Sequence, residues 1–163
     1  MTLSEPAVIE RAAVPYLGIG VRAPLSRLGE VLPPLFPEVF RWLGEHGIVP
    51  AGAPFVRYLT VDMDADLEME VGVPVAEDAA AHADSRVRRG VLPAGRYAAL
   101  VQIGPPDQAA VGHVALQNWM DQQHLTPKVD GGRWGARLEF SLLSPDEQPD
   151  VNLWETEIAC LLV

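Results

Sequence analysis

Two stretches near the end of the chain carry carboxylates at the spacing of a strand. In Trp134 to Leu143, the residues Trp134, Ala136, Leu138, Phe140 and Leu142 fall on one face, and Arg137 and Glu139 fall on the other. In Trp154 to Val163, reading WETEIACLLV, Glu155 and Glu157 lie opposite Trp154, Thr156, Ile158, Cys160 and Leu162. A carboxylate set among aromatic rings suits a lipophilic cation, through charge and cation–π attraction. In an apolar pocket the same group has a raised pKa and can act as a general base on water. The plainer alternative is a solvated strand residue, with Arg137 paired to Glu139 at little energetic consequence. Other chemistries lack their residues. His46, His82, His113 and His124 show no ligand spacing and read as surface or capping residues, so no metal or other cofactor is expected. There is no Gly-rich phosphate loop and no nucleophile elbow around a serine.

Charge narrows the partners. With 12 Lys and Arg against 22 Asp and Glu, the 163 residues carry a formal charge of −10. That disfavours direct contact with nucleic acid or an anionic membrane and permits cationic ligands or a basic protein partner. Apolar residues make up 48% of the chain, enough for a packed core. The single cysteine, Cys160, cannot close an internal disulfide and fits a reducing compartment. Met1 to Glu10 has no apolar signal-like core, and no run reaches membrane-span length, so a cytoplasmic location is expected, as monomer or dimer.

The elements that must position these carboxylates occur twice. Ala7 to Val14 and Tyr16 to Arg22 read as extended. An apolar stripe at helical spacing, Leu28 to Leu43, is interrupted by Pro33, Pro34 and Pro37; it predicts a helix from about Pro34 or Pro37 to Glu45, after a looser turn, with Gly47 as the stop. Phe55 to Met63 and Leu67 to Val75 alternate around Asp64-Ala65-Asp66 and predict a hairpin. After a small polar linker, Ala76 to Asp84, the order restarts. Strands are expected at Arg86 to Leu92 and Arg96 to Ile103, a helix capped by Asp107 and running to about Gln123, then Trp134 to Leu143 and the final strand. Tyr16 matches Tyr97 and Pro24 matches Pro105 at an offset of 81, while Trp42 matches Trp119 and Asp62 matches Glu139 at 77. Glu68, Glu70 and Val71 lie under Glu155, Glu157 and Ile158 at 87.

The expected fold is α+β: two fused strand-helix-strand-strand modules, residues 6–76 and 84–163, related by a pseudo-two-fold axis. Their strands form one antiparallel sheet with two helices on one face, and the outward-facing residues of the other face could converge on the axis. Leu59, Val61, Met63, Val71, Ala136, Leu138, Phe140 and Ile158 are assigned to the helix side. Tyr58, Asp62, Glu68, Glu70, Arg137, Glu139, Glu155 and Glu157 are assigned to the opposite side.

Several of these pieces together resemble the GyrI-like, or AraC-effector-binding, small-molecule-binding domain family. They are Arg57 to Val75, Leu92 to Gly104, Trp119, and Leu138 to Leu162. The chain departs from the family pattern at Gly104-Pro105-Pro106, where Gly-Pro-Tyr is common, and at Ser141, where a tyrosine is common. The resemblance implies a ligand groove between the modules, on the face opposite the two helices, and a stand-alone binding protein for lipophilic, cationic or electrophilic drug-like compounds, acting in sensing or sequestration. Glu139 would meet the ligand, with Glu157 a second candidate. Tyr58, Tyr16, Trp154 and Arg137 are further candidates for ligand contact. It also admits hydrolysis of cyclopropane-bearing compounds with Glu139 as the catalytic group, or an acidic interaction module such as a gyrase inhibitor.

Overall fold

A computed structural model describes residues 1–81 and 85–163; the end of the expected Ala76 to Asp84 linker, including His82 and the boundary at residue 84, lies outside the described residues. The first half opens with strands β1 (Thr2–Leu3), β2 (Ala7–Arg11) and β3 (Val14–Ala23), then helices α1 (Leu28–Val31) and α2 (Leu35–Glu45), then β4 (Phe55–Thr60) and β5 (Leu67–Pro74). The second half runs β6 (Val87–Leu92), β7 (Gly95–Ile103), α3 (Ala109–Gln122), β8 (Val129–Asp130), β9 (Arg133–Ser141) and β10 (Glu155–Leu161). The prolines act as expected, giving a 3₁₀ turn at Leu25–Arg27 and the short α1 before α2 begins. Gly47, at φ +66, ends α2 in the left-handed region. Asp107 does not cap α3: Pro106 already opens a 3₁₀ turn at Pro106–Gln108, so Asp107 sits inside that turn and Gln108 occupies the cap.

All the paired strands are antiparallel, in a ten-stranded sheet ordered β1-β7-β10-β9-β4-β5-β3-β6, with β2 beside β7 and β8 beside β9. From β4 and β9 outward the order is the same in both directions, which is the pseudo-two-fold relation. The register locates the axis. Phe55 lies opposite Gly72 in the first half and Leu138 opposite Ala159 in the second, so Phe55 and Leu138 correspond. One residue on, Val56 and Glu139 correspond, and they are also direct partners across the β4–β9 ladder. The axis therefore passes between Val56 and Glu139. The expected match of Asp62 with Glu139 is replaced by this one, because the second half has a longer stretch between its helix and the matching point of β9 (Met120 to Leu138) than the first has between Leu43 and Phe55.

Two helices share one face. Leu35, Val39 and Leu43 of α2 pack with Leu17, Ile19, Met69 and Val71. Leu116 and Met120 of α3 pack with Ala98, Leu100, Ile158 and Cys160. Each buried stripe follows the helical repeat. α2 lies over β3 and β5, and α3 over β7 and β10, so β4 and β9 run beneath the gap between the helices.

The helix-free face carries a core of its own. β2–β3 and β6–β7 are two bent strands that pair along their length, Arg11 opposite Gly95 and Val14 opposite Leu92. They tie the two edges of the sheet together, and that face curls around Tyr16, Phe55, Leu92, Tyr97, Ala136, Leu138 and Leu161. This inverts the expected sides of β4 and β9. Ala136, Leu138 and Phe140 face away from the helices, while Val56, Tyr58, Arg137 and Glu139 face toward them. Val71 and Ile158 lie on the helix side and Glu68, Glu70 and Glu157 on the other, as expected. The central strands bury apolar residues on both faces, so their alternation does not say which face is which.

Packing against the aromatic core is tight at Gly90, which lies opposite Tyr16; a methyl there would overlap the Tyr16 ring, with Cε1 at 2.8 Å. Gly44, inside α2, has open space around it. In urea denaturation Gly90→Ala is expected to destabilise by about 1–3 kcal/mol, whereas Gly44→Ala stabilises by about 0.5–1 kcal/mol.

Candidate functional site

Glu139 points from the sheet into the gap between α2 and α3. A carboxylate carried that far from water needs hydrogen bonds to remain charged. Two arrive on the same oxygen. The Tyr58 hydroxyl donates to Glu139 Oε1 at 2.9 Å, and His113 Nε2 lies 2.7 Å from it. The Glu139 and His113 side chains are each 15% exposed, so the carboxylate is covered rather than sealed.

The tautomer of His113 follows from its other neighbour. Arg137 Nε donates to His113 Nδ1 at 3.1 Å, which makes Nδ1 an acceptor and places the ring proton on Nε2, where it donates to Glu139. The chain of bonds therefore runs from Arg137 through a neutral imidazole to Glu139, with Tyr58 closing the far side. Ring contacts hold the members in place. Tyr58 and His113 meet edge to face at 5.6 Å, and the Arg137 guanidinium lies 4.6 Å from the centre of the Trp134 ring. Among the described residues, no Arg or Lys forms an ion pair with Glu139.

Burial shapes the titration of this group. It pushes the Tyr58 phenol well above its ordinary range, and the adjacent Glu139 charge pushes it further. Burial lowers Arg137 from its ordinary value, against the opposing pull of nearby negative charge. Cys160, opposite Arg137 on β10, is raised by burial, and Arg137 pulls it the other way.

Of the candidates read from the sequence, Glu139, Tyr58 and Arg137 come together here. The others do not join them. Glu157 lies on the helix-free face in a 2.6 Å ion pair with Arg11, whose guanidinium also lies over the Tyr97 and Phe140 rings. Tyr16 is buried on that same face and donates to Glu70 at 2.8 Å; burial, then the Glu70 charge, raises its phenol to about 12. Trp154 donates its indole N–H to Gln148 carbonyl at 2.6 Å and braces the loop before β10. His113 joins the site although its sequence context reads as surface. The signal was the buried stripe of α3: Ala109, Gly112, Leu116 and Met120 are buried, and His113 sits one residue after Gly112 on the same side. An open cleft of ≈ 340 Å³ lies elsewhere, beside Glu38, Trp42 and Arg86. It contains none of the Glu139 network, and its Arg86 and Glu38 are already paired at 2.9 Å.

The comparisons with known proteins agree with this fold. The sequence model of the GyrI-like small molecule binding domain matches residues 4–158. No curated protein sequence matches. Among solved structures, the EcmrR C-terminal domain superposes with a TM-score of 0.78 at 16% identity, covering 98% of this chain and 97% of that one. EcmrR in its DNA complex gives 0.76 at 17% identity over 97% of this chain, which spans only 57% of the EcmrR chain. SAV2435 bound to tetraphenylphosphonium gives 0.65 at 12% identity, covering 98% and 94%. At these identities the likeness is one of fold.

Two outcomes test the electrostatics of the buried phenols, one in the Glu139 network and one on the helix-free face. Tyr58→Phe removes one of two donors to a covered carboxylate and is expected to cost about 1–3 kcal/mol in chemical denaturation at neutral pH. The raised Tyr16 phenol contributes stability that is complete below its unfolded value, about pH 10, and is lost as pH rises through about 12. Stability measured against pH should therefore fall above about pH 10, and Tyr16→Phe should flatten that fall.

Proposed function

The chain belongs to the GyrI-like small molecule binding domain family, and from that premise we propose that it binds lipophilic, drug-like cations between α2 and α3, in sensing or sequestration. The observation that carries this reading is Glu139, a covered carboxylate on the pseudo-two-fold axis whose hydrogen-bond donors in the network are a phenol and a neutral imidazole. Its formal charge is not cancelled by a direct ion pair to Arg or Lys among the described residues. A cation entering the gap would meet that charge in low dielectric, where the attraction exceeds its value in water. Tyr58 and, beyond Arg137, Trp134 supply aromatic surface nearby. That SAV2435 holds tetraphenylphosphonium on the same fold supports the ligand class.

A second reading, hydrolysis, is favoured by one feature: Tyr58 and Glu139 form a directly bonded acid–carboxylate pair. In that case Glu139 takes a proton from water as the water oxygen bonds to the electrophilic cyclopropane carbon and the ring C–C bond at that carbon breaks, its electron pair going to the leaving side. Tyr58, held protonated by burial, then supplies a proton to the leaving side.

Thermal denaturation with a panel of lipophilic cations, tetraphenylphosphonium included, separates the readings. Binding predicts a higher Tm with several panel members and a Kd weakened at least about tenfold in Glu139→Gln, or about 1.4 kcal/mol. No shift across the panel, or an unchanged Kd in the variant, contradicts it. Hydrolysis predicts in addition that a cyclopropane-bearing alkylating compound is consumed by the native chain, and is bound but not consumed by Glu139→Gln.

A further inference from the structure

The space a ligand needs over Glu139 is taken by a side chain of the protein itself. His113 presents a planar ring to Tyr58, an N–H to the carboxylate at 2.7 Å, and a ring nitrogen to the Arg137 Nε–H at 3.1 Å. A planar heterocyclic cation with a ring N–H would repeat the first two of these contacts in the same place. We propose that His113 is an intramolecular stand-in for the ligand, that ligands bind by displacing it from Glu139, and that the site therefore favours planar nitrogen-heterocyclic cations bearing an N–H donor. This rests on the reading of Glu139 as the ligand's counter-charge.

Three observations carry the proposal. First, the donor on Glu139 is replaceable. A ligand that removes His113 without supplying an N–H leaves the carboxylate with Tyr58 as its only donor from this network, and an unmet hydrogen bond at a covered charged group is costly. A ring N–H restores it; a fully substituted cation such as tetraphenylphosphonium cannot.

Second, the partner on the other side is also left short. Arg137 Nη1 is already a buried donor without a hydrogen-bond partner. Its Nε would lose its acceptor when His113 leaves. A flat cation gives Arg137 no acceptor, so any compensation on this side must come from the Trp134 ring, against which a planar ligand can lie flush and a bulky tetrahedral one cannot.

Third, the turn of α3 that bears His113 is lightly anchored. Its buried residues there are Ala109 and Gly112, and Gly112 stands where α2 has Leu35. Gly112 packs so closely that an added Cβ would meet Gln102 Oε1 at 2.6 Å and overlap the Ile158 side chain. Beneath it, the Gln102 amide is fully buried with neither its nitrogen nor its oxygen hydrogen-bonded. Lifting this turn uncovers little apolar area and gives the Gln102 amide access to partners, so the cost of withdrawing His113 is reduced.

Isothermal titration of the full chain tests this with three probes: 2-aminobenzimidazolium, its N–H-free relative 1,3-dimethylbenzimidazolium, and tetraphenylphosphonium. In His113→Ala, 2-aminobenzimidazolium is expected to bind at least tenfold more tightly than in the native chain, and at least tenfold more tightly than the dimethyl compound. His113→Phe, which refills the slot, should show no such gain. Equal binding by native chain and His113→Ala, or no preference for the N–H probe, overturns the proposal. Ring-nitrogen NMR of the native chain gives a readout that needs no variant. The free protein should show His113 fixed as the Nε2–H tautomer, and saturation with 2-aminobenzimidazolium should abolish that signature; its persistence at saturation overturns the proposal. Glu139→Gln distinguishes the two levels. If it weakens cation binding while residue 113 is silent, only the stand-in role fails; if it weakens nothing, the counter-charge reading fails as well.

Discussion

A carboxylate withdrawn from water must be given hydrogen bonds, and the arrangement around Glu139 is organised by that requirement. Tyr58 from the first half and His113 from the second both donate to the same oxygen, and Arg137 orients His113 from behind. Because Arg137 donates to Nδ1, the ring proton is placed on Nε2, where it meets the Glu139 carboxylate. Removing any member leaves a covered polar atom unpaired, which costs more than the bond itself contributes. The set is thus stable as it stands and attractive to anything that offers Glu139 a better partner.

The fold places this set where no single half could. Glu139 is on the pseudo-two-fold axis, opposite its own counterpart Val56, so the two halves put an apolar and a charged residue at equivalent positions. The neighbouring positions are unlike as well: Tyr58 corresponds to Ser141. A tyrosine absent at Ser141 is thereby present at the symmetric position, on the same face and within reach of the same carboxylate. The helix-free face uses its tyrosines differently. Tyr16 and Tyr97 correspond, and both fill the core enclosed by the two bent strands. Divergence between the halves leaves one face packed around paired tyrosines and the other with a covered carboxylate.

The repeat, the order of elements, the proline-delayed start of α2 and the α+β class were legible in the residues, because strand alternation, helical spacing and turn residues are local signals. The side of the sheet was not. Alternation in β4 and β9 shows which residues lie together, but both faces of these strands are covered, one by helices and one by the bent strands, so either face suits an apolar row. Glu139, Tyr58 and Arg137 were therefore grouped correctly and placed on the wrong side. Glu157 and Tyr16 looked equivalent to them until the ladder put them behind the sheet, paired with Arg11 and Glu70. His113 carries no motif; only its place beside Gly112 on the buried stripe of α3 distinguishes it from a surface histidine.

The central claim is that the gap between the helices, with Glu139 at its floor, is the ligand site. A crystal structure of the chain with bound tetraphenylphosphonium tests it most directly. The account predicts the phosphorus between α2 and α3 within about 6 Å of the Glu139 carboxylate, with the His113 ring no longer bonded to that oxygen. A cation seated on the helix-free face, or in the cleft beside Glu38 and Arg86, with the Tyr58–Glu139–His113 bonds intact, would contradict it.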